Sequence, residues 1–163
     1  MVAQNIVFGI LAVVMVAAAF RLVTTQNVVR AALFLAIVLA GAAGLYILLA
    51  AEFVAWVQVL VYIGAVVVLL LFGVMLTRAP IGRDADLDNE QRLLGALVAL
   101  FLLGSLGAVL LDAFGDQKVG TVAIRRTAEV SDSIFGDFVI PFEVASILLL
   151  AALVGAVALA RRD

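Results

Sequence analysis

The chain has 163 residues, 67% of them hydrophobic, and a formal net charge of −2. A mean hydropathy of +1.31 exceeds what a water-soluble fold of this size can hide, because small folds keep much of their surface in contact with solvent. The acidic balance argues against a nucleic-acid partner. The absence of cysteine and histidine removes disulfides, thiol chemistry, the usual haem and iron–sulfur ligation and most zinc sites.

With lipid as the solvent, the backbone must satisfy its own hydrogen bonds, which leaves helices or a closed barrel. Barrel strands alternate apolar and polar residues, whereas the apolar runs here are continuous and about twenty residues long, the length of a membrane-crossing helix. The expected fold is an all-α integral membrane protein with a single membrane domain over residues 1–163. Its first span runs from about Val2 to Val23. That run is too long for a signal peptide and lacks the positive leader of one, so it reads as a retained span. "TTQN" separates it from a second span, Val28 to Leu49. The third runs from Phe53 to Leu76, the fourth from Leu93 to Leu111 and the fifth from Ile140 to Ala160.

Lys and Arg placement sets the expected orientation. With the N-terminus outside, the inner side receives Arg21, Arg30, Arg78, Arg83, Arg92, Arg161 and Arg162. The outer side receives only Lys118, Arg125 and Arg126, in the long loop 112–139. The C-terminus is then cytoplasmic. The loop between spans three and four, with Asp84, Asp86, Asp88 and Glu90, has no EF-hand spacing and reads as a solvated turn. The loop before span five reads either as an ordered surface that touches a neighbour or as a solvated linker. No internal repeat is visible, so the inverted-repeat architecture of many transporters has no support.

The polar residues inside the apolar runs carry the functional question. At about 1.5 Å per residue, Glu52 sits near the outer interface, Gln58 about 9 Å deeper and Tyr62 about 15 Å deeper. Gln58 and Tyr62 are four apart, a spacing that places them on one helix face. A tyrosine hydroxyl in lipid needs a partner, so that face must meet protein or water. Packing between helices and a hydrated, proton-carrying path are both open readings. Gly64 precedes Val66, Val67 and Val68 in a stretch of weak helix formers. Such a stretch is easily distorted, and a π-bulge is a distortion frequent at functional sites. Close helix packing explains the glycine equally well. Gly41 and Gly44 in "AGAAGL" of span two allow another helix to approach closely. In "IPFEVAS", Pro141 suits a first helical turn, and Glu143 is either a carboxylate stabilised by the helix N-terminus or a functional acid.

The stretch "GLYILLAAEFVAWVQVLVYIGAVVVLLLFGVML", above all its Gln58 to Leu76 core, resembles spans two and three of subunit J of bacterial NADH:quinone oxidoreductase (complex I). This family includes mitochondrial NADH dehydrogenase subunit 6. "FVIPFEVASILLLAALVGAVALARR" is similar to the family's last span. The resemblance implies a core membrane-arm subunit of a proton-translocating oxidoreductase, coupling quinone reduction to proton pumping without a redox centre of its own. It implies a hetero-oligomer with other membrane-arm subunits, multi-pass in the bacterial plasma membrane. NADH, FMN, iron–sulfur clusters and the quinone would be held in or through other subunits. It places a π-bulge in the third span near Tyr62 and Gly64, gating a hydrated axis of acids in neighbouring subunits. The resemblance implies Tyr62, Gly64 and Glu143, with Gln58, as proton-path or gating residues, and Glu52 and Val68 of the same span are added as candidates from their positions in the sequence. The alternatives are a small independent ion transporter using Glu52 and Glu143, or a subunit of a related antiporter or hydrogenase module. No catalytic residue or metal site is expected on this chain.

Overall fold

A computed structural model describes residues 2–77, 91–116 and 126–161. The acids of the loop between spans three and four, together with Arg78, Arg83, Lys118, Arg125 and Arg162, lie outside the described residues. Six helices follow one another: α1 Val2–Thr24, α2 Val28–Leu48, α3 Glu52–Leu76, α4 Arg92–Phe114, α5 Thr127–Phe135 and α6 Val139–Ala160. All but α5 are long and apolar enough to cross a membrane, and no strand occurs among the described residues. The long loop is not wholly irregular. Span four continues to Phe114, and α5 occupies part of the connection to span five.

The first two turns show why the chain reverses where it does. Asn27 is the N-cap of α2, and its side-chain oxygen accepts from the Arg30 N–H at 3.0 Å, satisfying one of the donors a helix start leaves free. At the other end of α2, the Ala51 N–H donates to the Tyr46 carbonyl at 2.9 Å and the Ala50 N–H to that of Ile47 at 3.0 Å. This paired closure requires Ala50 to be left-handed, with φ 56°. An alanine occupies a position that favours glycine, and the tight reversal into α3 holds it there.

Helices α1, α2 and α3 pack together, with α2 touching both of the others. Most of their buried positions are small, Ala18, Ala32, Ala43 and Ala55 with Gly41, and Gln58 and Val67 of α3 are buried beside them. In lipid there is little hydrophobic gain from bringing two apolar helices together, so association rests on close backbone approach and van der Waals contact, which small residues permit. A Cβ on Gly41 would collide with Met15 Cγ and lie 2.7 Å from its Sδ. One on Gly44 would lie 3.1 Å from Leu11 Cδ1. These two glycines are where α1 sits down on α2.

The remaining spans stand apart. Among the described residues α4 contacts no other helix, and α6 touches only α5. The α5–α6 contact includes Phe135 and Phe142, edge-to-face with centroids 5.1 Å apart. Helix α5 also touches the first turns of α3. Hydroxyls on the spans turn inward to their own backbone: Ser146 Oγ donates to the Phe142 carbonyl at 2.9 Å and Ser105 Oγ to that of Leu102 at 3.1 Å. Neither hydroxyl is left unpaired in hydrocarbon.

Candidate functional site

The centre of α3 is not an α-helix. Glu52–Val57 and Val68–Leu76 are α-helical, but the ten residues Gln58–Val67 between them form a π-helix. The distortion expected near Gly64 is present and longer than a single turn. Two features of the sequence permit it. Gly64 and the valines lose little by leaving α geometry, and an apolar surface all round imposes no fixed face that a changed period would violate.

The π ladder resets which residues face α2. Between Gln58 and Leu71 the positions that are not exposed are Gln58, Ile63, Val67 and Leu71. The step from Gln58 to Ile63 is five residues, longer than an α-helical turn, in the stretch where the ladder closes i→i+5. An α-helix would have placed Tyr62 there instead. Gln58 and Tyr62, although four apart, are therefore unequally buried, and the four-residue spacing does not give them one environment. Gln58 is 7% exposed, and its side-chain Nε2 donates across to the Leu39 carbonyl of α2 at 3.4 Å. Tyr62 is 48% exposed. Ile63 and Val67, the positions that replace it against α2, have no signal in a uniformly apolar sequence.

Gly64 is on the open side as well. A Cβ there would meet only the Val59 carbonyl of its own helix, at an ordinary 3.5 Å. Among the described residues no other helix needs Gly64 to be small. Val68 begins the α-helical second half of α3 and is exposed. Tyr62, Gly64 and Val68 thus lie along or beside the π segment, and Gln58 ties its first residue to α2.

The two carboxylates lie elsewhere. Glu52 opens α3 and lines an outward hollow of about 360 Å³ with Ile47, Ala55, Trp56 and Val59. Glu143 is exposed on α6. Because α6 begins at Val139, two residues before Pro141, the first turn contains no acid and Glu143 falls just beyond it. Stabilisation by the helix N-terminus fades within that turn, so the structural explanation for Glu143 is weakened. Among the described residues no three acidic side chains cluster. The arrangement is a membrane helix with a π-helical centre and one side-chain hydrogen bond to its neighbour.

The family model for NADH-ubiquinone/plastoquinone oxidoreductase chain 6 matches residues 18–159. Subunit J of an F420H2 dehydrogenase from Methanosarcina mazei is 44% identical over 167 residues, covering 98% of this chain and 92% of that one. Chain 6 of an NAD(P)H-quinone oxidoreductase from Leptolyngbya boryana is 41% identical, covering 98% of this chain and 81% of its own length. The corresponding chain from Synechocystis is 39% identical, with 98% and 82% covered.

Proposed function

Because the chain belongs to the NADH-ubiquinone/plastoquinone oxidoreductase chain 6 family, we propose that it is a membrane-arm subunit of a proton-pumping oxidoreductase. In this reading it couples quinone reduction to proton movement and holds no redox centre. The family's complexes are enzymes, and this chain's share of the work is mechanical. The observation that carries the reading is the π-helix Gln58–Val67 in the middle of a membrane span. A chain without cysteine or histidine lacks the usual ligands for clusters and haem. NADH, FMN, iron–sulfur clusters and quinone then belong to or pass through other subunits, and the other membrane-arm subunits are its partners.

The proposed mechanism follows from the five-residue step. Conversion of the π segment to α geometry would put position 62 where position 63 now faces α2, a turn of about 100° for each residue of slippage. Tyr62, half-exposed now, would swing toward α2, and the valines beyond it would be re-aimed. Helix α3 then has two arrangements, each with a complete backbone ladder, which is what a gate needs. Gln58, hydrogen-bonded to Leu39, keeps the near end of the segment in place while the far end turns.

The electron donor has a second reading supported by a specific observation. The similar chains carry names with different donors, F420H2 in one and NAD(P)H in others. A coupling subunit that never meets the donor can serve either. Retrieving the tagged chain from its native membrane tests both points. It is expected to bring with it a large assembly that reduces quinone with NADH. Recovery as a lone, stable transporter would overturn the reading, and activity with a deazaflavin donor only would reassign the donor.

We place the N-terminus outside and the C-terminus in the cytoplasm of a bacterial plasma membrane, on the arginine asymmetry. A reporter fused after Asp163 should then read cytoplasmic and one inserted at Lys118 external; the reverse pattern would invert the assignment. For Glu143 we favour a place on the proton path, since no first-turn role holds it. Glu143→Gln should leave the complex assembled and lower pumping several-fold. Unchanged pumping would return Glu143 to a structural role.

A further inference from the structure

The turn between α1 and α2 carries charges that neither packing nor the coupling role uses. Arg21 lies in the last turn of α1, where a cation suits the negative end of the helix. Arg30 lies in the first turn of α2, where the helix end is already positive and a cation is unfavourable. Both arginines line one hollow of about 320 Å³ together with Thr24, Thr25, Gln26 and Phe34. The Thr25 hydroxyl accepts from the Asn27 N–H at 3.4 Å. Two arginines, one from the last turn of α1 and one from the first turn of α2, line the hollow, and no acidic residue stands among its lining residues.

A second hollow lies beside it, deeper in the membrane. Ala12, Val13, Val16, Ala17 and Phe20 line an apolar trough of about 560 Å³ on α1. This is the face of α1 opposite Leu11, Met15 and Ala18, which pack toward α2. Val13, Ala17, Arg21 and Thr24 follow one another at spacings of four, four and three, so the trough and the pocket lie on one continuous strip of the helix. Phe34, one turn beyond Arg30 on α2, adds an apolar wall at the junction.

We propose that this strip is a binding site for one anionic phospholipid, its phosphate between Arg21 and Arg30 and an acyl chain along Val13, Val16 and Phe20. A guanidinium binds phosphate through paired N–H donors, which makes two of them at a membrane interface a strong anion site. Basic pockets between membrane helices are a recurrent form of lipid recognition. A free phosphate shares the headgroup chemistry but would not use the trough. A carboxylate from a partner subunit would use the arginines and likewise leave the trough empty.

The test uses the assembled complex, reconstituted in phosphatidylcholine vesicles that contain a phosphatidylglycerol with a photoreactive acyl chain. Illumination should place an adduct on the α1 peptide containing Val13 to Phe20. Unlabelled phosphatidylglycerol should compete it away, while added phosphatidylcholine and inorganic phosphate should not. Each arginine removed should lower labelling about fivefold, so R21Q/R30Q should nearly abolish it and R21K/R30K should retain most of it. Competition by inorganic phosphate at equal concentration would make this a free-phosphate site and overturn the lipid assignment. Equal competition by phosphatidylcholine would make it ordinary boundary lipid. Labelling indifferent to R21Q and to R30Q would mean that the arginines are engaged elsewhere, by a partner's carboxylate among others. If R21Q/R30Q fails to assemble, the single variants and the competition series on the unaltered complex decide the matter.

Discussion

Gly64→Leu should uncouple the complex: assembly intact, the redox arm still oxidising its donor, and proton pumping reduced about fivefold or more. The glycine lies on the open side of the π segment, where its own chain leaves room for a side chain. A leucine therefore fits the present state of α3 without a clash against α1 or α2. What it changes is the ease of distortion. Glycine is about 1 kcal/mol worse than alanine or leucine in an α-helix, and that amount shifts a two-state equilibrium about fivefold. The added side chain also fills whatever space Tyr62 and the valines sweep through. Pumping and quinone reduction must be measured in the same membranes, after assembly is confirmed. A direct readout is available because the chain has no cysteine of its own. A thiol at position 62 should react with a soluble maleimide in the resting complex and become protected during turnover, and one at position 63 should do the reverse. If Gly64→Leu pumps normally and neither thiol changes, the π segment is a static feature and the gate lies elsewhere.

Gly41→Leu should have the larger effect on the amount of protein. The α1–α2 contact is tight enough that even a methyl at position 41 meets Met15, and a full leucine must push the helices apart. Overpacking of this kind costs roughly 1–3 kcal/mol. Among the described residues α1 has no other helix to fall back on. The chain's level in the membrane should fall about tenfold, because a chain that fails to pack is degraded. The physical cause can be checked by size compensation. Met15→Ala opens the space that position 41 would fill, so Met15→Ala combined with Gly41→Ala should be more stable than the two separate costs predict, by about 1 kcal/mol. Strict additivity would show that Met15 and Gly41 do not meet as described.

The helices were legible because lipid admits so few solutions: a run of about twenty apolar residues has to be a helix, and the turns are marked by polar clusters such as "TTQN". The weakness near Gly64 was legible too, since propensity is local. What could not be read was the exposure of Tyr62. Assigning a face from spacing presumes 3.6 residues per turn, and the distortion that the glycine and valines invite is the thing that invalidates the presumption. The length of the π run was hidden for a related reason: with every position from Val59 to Val67 apolar except Tyr62 and Gly64, nothing in the pattern marks where the ladder changes. The start of α6 shows a smaller case. Pro141 was a sound sign of a first turn, but proline is tolerated over that whole turn, and a shift of two residues moved Glu143 out of the helix end's influence. Arg21 and Arg30 counted only as votes for an orientation until the fold brought them to one hollow.

The separation of α4 and α6 from the three-helix bundle bears on the life of the protein after it is made. A chain whose spans all pack on one another can leave a complex and be replaced by a fresh copy. Among the described residues α4 touches no other helix, and α6 touches only α5. In the assembly proposed above, other subunits would cover these two spans. A chain held by its neighbours in this way would not leave the complex without disturbing them. Damage to one copy would then be repaired only by dismantling and rebuilding that part of the membrane arm. Pulse-labelled chain should therefore turn over at the rate of the membrane subunits around it, and never faster than they do.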